Sequence, residues 1–232
     1  MTRPSRQDEE GLSFDQALEQ RVAASLDCYV AFLQQLLRIP TPRMQEHQWV
    51  HFVAQVLKDV GCQVEVFEGE GAGEPTPDGL PINLFACRKG DGGGRSLLLE
   101  AHMDTVPPGE EARWSHGPWS GQIEGGRMYA RGAHDDRTGA AILYMVADLL
   151  NQLRVRTRGD LSLLVTTEEE FSCGGMRAYA GRADRVRPDA HLLVDGNREA
   201  GLCILGHPGV LNFEIRIAGP FGSAQRHETV HD

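Results

Sequence analysis

An α/β fold with helices on both faces of its sheet is what this 232-residue sequence predicts, on three observations. Leu97-Leu98-Leu99 and Leu161-Ser-Leu-Leu-Val165 are nearly continuous apolar runs, as expected of strands buried on both faces. Helix-period segments precede and separate those strands, and glycine and proline punctuate the joins. There is no internal repeat and no linker on the scale of a domain.

Taken in order, residues 1–19 are polar and charged and are expected to be a mobile tail. From Gln20 a helix begins, with Val22, Leu26, Val30, Leu33 and Leu37 at three- and four-residue spacing, and Pro40 and Pro42 end it. A second helix is expected over Met44–Val60, stopped by Gly61. Strands follow at Cys62–Phe67, Asn83–Arg88 and Ser96–Ala101. The glycine-rich stretch Lys89–Arg95 between the last two is expected to be a hairpin-type loop; no Gly-Lys-Ser/Thr end makes it a phosphate loop. Thr138–Leu153 is a helix, Leu161–Thr166 a strand and Gly174–Ala180 a short helix. Strands at His191–Val194, Gly201–Leu205 and Val210–Ala218 complete the series.

Composition narrows the function classes. With 23 Lys+Arg against 33 Asp+Glu, the net charge is −10, which disfavours nucleic acid and anionic membrane surfaces as partners. No apolar run approaches the roughly 18–20 residues of a membrane helix, and the N-terminus has no signal-peptide core. The five cysteines are scattered without a Cys-x-x-Cys pair, so neither a disulfide framework nor a thiolate zinc site is indicated. A cytoplasmic location is the expectation.

Chemistry concentrates at strand ends, where open α/β sheets usually bind ligands. Leu97–Ala101 runs into His102-Met-Asp104, Leu161–Val165 into Thr166-Thr-Glu-Glu-Glu170, and His191–Val194 into Asp195. His134-Asp135-Asp136 lies just before the helix at Thr138. Imidazole and carboxylates on one rim suit zinc, cobalt or manganese, and the lack of thiolates points to an open, catalytic site. Each piece alone also has a plain structural use. Thr166 or Thr167 with Glu169 or Glu170 could form a helix capping box, Asp136 could cap the following helix, and Asp195-Gly-Asn is a turn former.

In combination these segments resemble metallopeptidase family M20. The resemblance is carried by Glu100-Ala-His-Met-Asp-Thr-Val-Pro107, Trp114 with Pro118-Trp119, Gly126-Arg-Met-Tyr-Ala-Arg-Gly-Ala-His-Asp-Asp-Arg-Thr-Gly139 and Glu168-Glu169-Glu170. It runs from about residue 25 to 218. It implies a three-layer α/β/α zinc-peptidase-like domain around a mixed, mainly parallel sheet. It implies hydrolysis of an amide bond in an N-acyl amino acid or small peptide, with two divalent ions, zinc first and cobalt or manganese as alternatives. His102, Asp135, Glu170 and Asp195 match the family's metal ligands, with Asp135 bridging and a cis peptide after it. His102 and Asp195 would serve one ion and Glu170 the other. Glu169 matches the general base, and Asp104 the residue that orients the imidazole.

The sequence departs from the family after Gly219, where Pro220-Phe-Gly-Ser223 stands in place of a small-residue run ending in His. The expected division is therefore 20–206 as the N-terminal part of the catalytic domain and 207–232 as the start of a shortened lid domain with an unmatched tail. On that expectation a lid-mediated dimer is disfavoured. The alternative to an active hydrolase is an inactive fragment that binds metal weakly.

Overall fold

The computed structural model describes residues 12–41, 46–69, 81–196 and 204–205. Chain segments through Gly196 form one compact unit. The expected strand Val210–Ala218, and all of Gly201–Leu205 except Ile204 and Leu205, lie outside the described residues, as do His207, His227 and His231.

Helix α1 spans Phe14–Arg38 and α2 spans His47–Asp59. Strands β1 (Gln63–Glu68), β2 (Ile82–Arg88) and β3 (Leu97–His102) follow. A small hairpin, β4 (Gln122–Glu124) and β5 (Arg127–Tyr129), precedes α3 (Arg137–Gln152). The series closes with β6 (Leu161–Thr166), α4 (Gly174–Gly181) and β7 (Ala190–Leu193). The main sheet has the order β1-β2-β6-β3-β7; the first two pairings are antiparallel and the last two parallel.

Both faces of the sheet are covered. Leu99, Ala101, Leu161, Leu163 and Val165 pack with Phe32, Leu36, Trp49, Val53 and Leu57 of α1 and α2 and with Ala140, Leu143 and Ala147 of α3. Alternate residues of the same strands, Leu98 and Leu164, meet Tyr179 of α4 on the other face. The three-layer arrangement thus follows from the period-two alternation of β3 and β6, in which each face finds an apolar partner.

Two expectations are corrected. Residues 14–19, expected in the mobile tail, are the first turns of α1. Ser13 Oγ accepts the Gln16 amide while Gln16 Oε1 accepts the Ser13 amide, a reciprocal capping box that starts the helix before its apolar stripe begins. The loop Lys89–Arg95 does not close a hairpin either, because β6 lies between β2 and β3. Its glycines serve close approach instead. A Cβ on Gly94 would lie 2.5 Å from the Arg158 Cβ and the Gly159 nitrogen, and Gly92 donates to Arg158 O at 2.9 Å.

A buried arginine ties the start of α3 to the end of α1. Arg137, fully buried at the start of α3, donates to the carbonyls of Leu36 (2.9 Å) and Leu37 (3.2 Å) at the end of α1 and to Thr41 Oγ1. The last carbonyls of a helix lack intrahelical partners and sit at the negative end of its dipole, so a guanidinium is a suitable cap. Its other side stacks on Trp119, 5.1 Å from the ring centroid.

Candidate metal centre

β3, β6 and β7 run parallel and deliver their carboxyl ends to one rim, which the amino end of α3 also reaches. His102 is the last residue of β3, on the α4 side of the sheet, and only 1% exposed. Its Nδ1 lies 3.1 Å from the carbonyl oxygen of Asp104, so Nδ1–H donates there and Nε2 is left to face the rim. Nε2 is 2.8 Å from Asp135 Oδ1 and 3.8 Å from Glu169 Oε2.

Three further expected ligands sit around that imidazole, in two overlapping sets. Donor atoms of His102, Asp135 and Glu170 lie within 4.8 Å of one another, and so do those of His102, Asp136 and Asp195. His102, Asp135, Glu170 and Asp195 are therefore brought to the same rim, but Asp195 groups with Asp136 rather than with Asp135. The Asp135–Asp136 peptide is cis.

Asp136 is anchored by backbone. Its Oδ1 accepts the Gly139 amide at 3.0 Å as the N-cap of α3, and Oδ2 accepts the amide of His102 at 3.1 Å. The following glycine is required by packing: a Cβ on Gly139 would collide with Val194 O and with both Asp136 carboxylate oxygens. Hence α3 can approach the end of β7 only with glycine at this position.

Asp104 is fully buried, and its carboxylate does something the sequence did not suggest. Oδ1 accepts the Glu169 amide (3.1 Å) and Oδ2 the Glu170 amide (3.2 Å), which ties the turn after β6 to the end of β3. The carboxylate is 3.6 Å from His102 Nδ1, too far for a hydrogen bond, and acts on the ring by charge. The imidazole is oriented by the Asp104 carbonyl, not by its carboxylate. On the far side of the turn, Asn83 of β2 is fully buried and accepts the Thr167 amide through Oδ1. A polar residue inside the apolar run Ile82-Asn-Leu-Phe-Ala86 is the sequence signal for this role.

The electrostatics are those of an acidic site built around one imidazole. Burial opposes protonation of His102, but the Asp104, Asp135 and Asp136 carboxylates outweigh it and push the pKa up to about 11. Burial raises the carboxyls of Asp136, to about 8, and of Glu169 and Glu170; neighbouring acids add to the rise. Asp135 is lowered, chiefly by its hydrogen bond to His102. Further along the same face, Glu100 pairs with His191 at 2.7 Å and is raised mainly by burial. One nitrogen donor and several carboxylates, crowded enough to raise each other's pKa, form a donor set that fits a borderline divalent cation such as zinc, cobalt or manganese.

Residues 98–219 match the model of peptidase family M20/M25/M40. The chain is 38% identical over 202 residues to a succinyl-diaminopimelate desuccinylase of Methylobacterium sp. (strain 4-46), covering 83% of this chain and 49% of that protein. It is 33% identical over 170 residues to the enzyme of the same name from Rhodopseudomonas palustris (strain BisB5), covering 71% and 42%. The chain thus spans less than half the length of these curated relatives. In fold it is similar to the di-peptidase Dug1p of Saccharomyces cerevisiae, with TM-score 0.65 and 18% identity over 77% of this chain and 40% of that one. Human carnosine dipeptidase 1 is similar too, with TM-score 0.63 and 16% identity over 72% and 37%. Among the described residues, no helix is long and apolar enough to cross a membrane. On the family match and these identities, the chain belongs to peptidase family M20/M25/M40.

Proposed function

We propose that this chain carries the metal-binding and proton-transfer half of a hydrolase that cleaves an amide bond in an N-acyl amino acid or small peptide. The observation that carries the reading is the gathering of His102, Asp135, Glu169 and Glu170 at one strand rim, with Glu169 Oε2 3.8 Å from His102 Nε2. Names of the relatives supply the substrate class: two are desuccinylases of an acylated diamino acid and two fold neighbours are dipeptidases.

In this proposal His102, Asp135, Glu170 and Asp195 are the residues that would hold divalent ions, with Asp135 the candidate to serve both. Asp135 suits the shared position because both oxygens of its neighbour Asp136 are occupied by backbone amides, whereas the Asp135 side chain is 55% exposed. When bound, two such ions would polarise the scissile carbonyl and acidify water. Glu169 is the general base. It stands at the rim with its pKa raised by burial and by neighbouring acids, and this favours uptake of a proton from water and its return to the leaving nitrogen. Asp104 holds Glu169 and Glu170 by their amides and keeps both near the imidazole.

The test is release of free amine from N-succinyl and N-acetyl amino acids and from dipeptides, in the presence of zinc, cobalt or manganese. Turnover that needs the metal and is lost in Glu169→Gln is the expected result. Metal binding without turnover on any of these substrates would leave only the cation-binding part of the proposal standing.

A further inference from the structure

We infer that Asn83 is a positioning residue for the two-glutamate turn, its carboxamide standing where the β2–β6 ladder ends and joining Thr167 to Gly175 across the segment that bears Glu169 and Glu170. The inference rests on the proposed roles of those glutamates, but its geometry does not.

β2 and β6 pair in register as far as Leu84 opposite Val165, and the next pair would be Asn83 opposite Thr166. There the β2–β6 pairing stops, although Thr166 still pairs with His102 of β3, and on the β2 side a side chain takes over. Asn83 Oδ1 accepts the Thr167 amide at 3.0 Å, and Nδ2 donates to Gly175 O at 3.4 Å. Gly175 in turn donates to Thr167 O at 2.9 Å. The carboxamide therefore uses one acceptor and one donor, which neither Asp nor a hydroxyl can offer in that arrangement. The fit is close: a Cβ on Gly175 would stand 2.5 Å from Asn83 Oδ1, and one on Gly69 would stand 2.7 Å from Thr167 Cγ2 and 3.1 Å from Asn83 Nδ2.

Between Thr167 and Gly175 the chain is a compact knot. Glu168 and Cys173 both adopt left-handed backbone, at φ 61° and 52°, and Glu168 O accepts the amides of Ser172 and Cys173. Left-handed backbone at a non-glycine residue is uncommon and is retained where the surroundings over-determine it. Groups outside the knot that hold it include Asp104 on the Glu169–Glu170 side, Asn83 at its base, and Arg177 of α4, whose guanidinium donates to Ser172 O. Asp104 holds the segment by the amides of Glu169 and Glu170, and Asn83 holds its base at Thr167 and Gly175.

The experiment is residue-resolved amide hydrogen exchange on the protein, comparing wild type with Asn83→Asp, Asn83→Ala and Tyr29→Phe. The last removes a buried hydrogen bond between α1 and α3, remote from the turn, and reports a general loss of stability. Both Asn83 variants are expected to exchange the amides of Thr167, Glu169, Glu170 and Gly175 at least tenfold faster, with α3 amides within twofold of wild type. A second arm measures zinc affinity. It should fall at least tenfold in the Asn83 variants and stay within twofold in Tyr29→Phe. Unchanged protection of the four amides, or a loss spread evenly over the sheet and α3, would overturn the inference. So would an affinity loss no greater than that of Tyr29→Phe. Absence of zinc binding by the wild type would instead refute the proposed function, and the exchange arm would still decide the role of Asn83.

Discussion

Proton release on metal binding tests the site most directly, because the crowding of acids around His102 fixes its size. A histidine offers Nε2 as a ligand only when neutral. In the metal-free protein the surrounding carboxylates push the His102 pKa up to about 11, so at pH 7 essentially every molecule carries that proton. Asp136, raised to about 8 chiefly by burial, is protonated in roughly nine of ten molecules at pH 7, and an arriving cation favours its ionised form. Saturation with zinc at pH 7 should therefore release between one and two protons. Calorimetry in two buffers of unlike ionisation heat counts them. His102→Ala should lower the count by about one. The same two groups set a stability trend. Both have folded pKa values above their unfolded ones, about 6.5 for His and 3.9 for Asp, so each contribution is complete below the unfolded value and is lost as pH rises through the folded one. The melting temperature of the metal-free protein should then fall between pH 6 and 9, and zinc should flatten that slope. Release of less than about half a proton at pH 7, with a melting temperature insensitive to pH, would refute this account of the site.

Three substitutions extend the test. Glu169→Gln should retain zinc while lowering turnover by about 10²–10⁴, the usual contribution of a positioned acid–base group; an assay of amine release beside elemental analysis checks both halves. Gly139→Ala should cost about 1–3 kcal/mol in urea denaturation, because its Cβ would press on Val194 O and the Asp136 carboxylate, and should weaken zinc binding in parallel. Tyr29→Phe removes a buried hydroxyl 3.0 Å from Asp148, which keeps the Gln152 amide as a donor, so a loss of about 1 kcal/mol with unchanged zinc affinity is expected.

Most of the fold was legible because local pattern and burial agree. Leu161–Thr166 is a strand with the bounds that its apolar run suggests, and α3 differs from its expected span by one residue at each end. The misjudged places share a physical cause. The start of α1 is set by the Ser13–Gln16 capping box, which was present in the sequence but lay outside the apolar stripe used to find the helix. The Lys89–Arg95 loop has the composition of a hairpin, yet its glycines admit the backbone of residues 158–159, a neighbour that only tertiary structure supplies. The β4–β5 hairpin turns at Gly125-Gly126, both with positive φ, and that dipeptide is a turn signal that was available and unused.

At the site, residue types and strand-end positions identified which side chains would meet, but not which of them would be engaged by backbone. Acidic residues at this rim do two different jobs. Asp104 and Asp136 spend their oxygens on the amides of Glu169, Glu170, His102 and Gly139, binding the ends of β3 and β6 and the start of α3 to one another. Asp135, Glu169 and Glu170 keep side chains 41–55% exposed or half-buried toward the rim, open to a cation or to water. The backbone amides hold Asp136 in place although burial still raises its pKa, whereas Asp135 is lowered by its hydrogen bond to His102 and Glu169 and Glu170 are raised by burial and by neighbouring acids. That division lets a chain gather six carboxylates, counting Asp195, around one imidazole. The motif alone cannot express it, because Asp135 and Asp136 are the same residue type, adjacent in sequence, and differ only in what the backbone of β3 and α3 offers them.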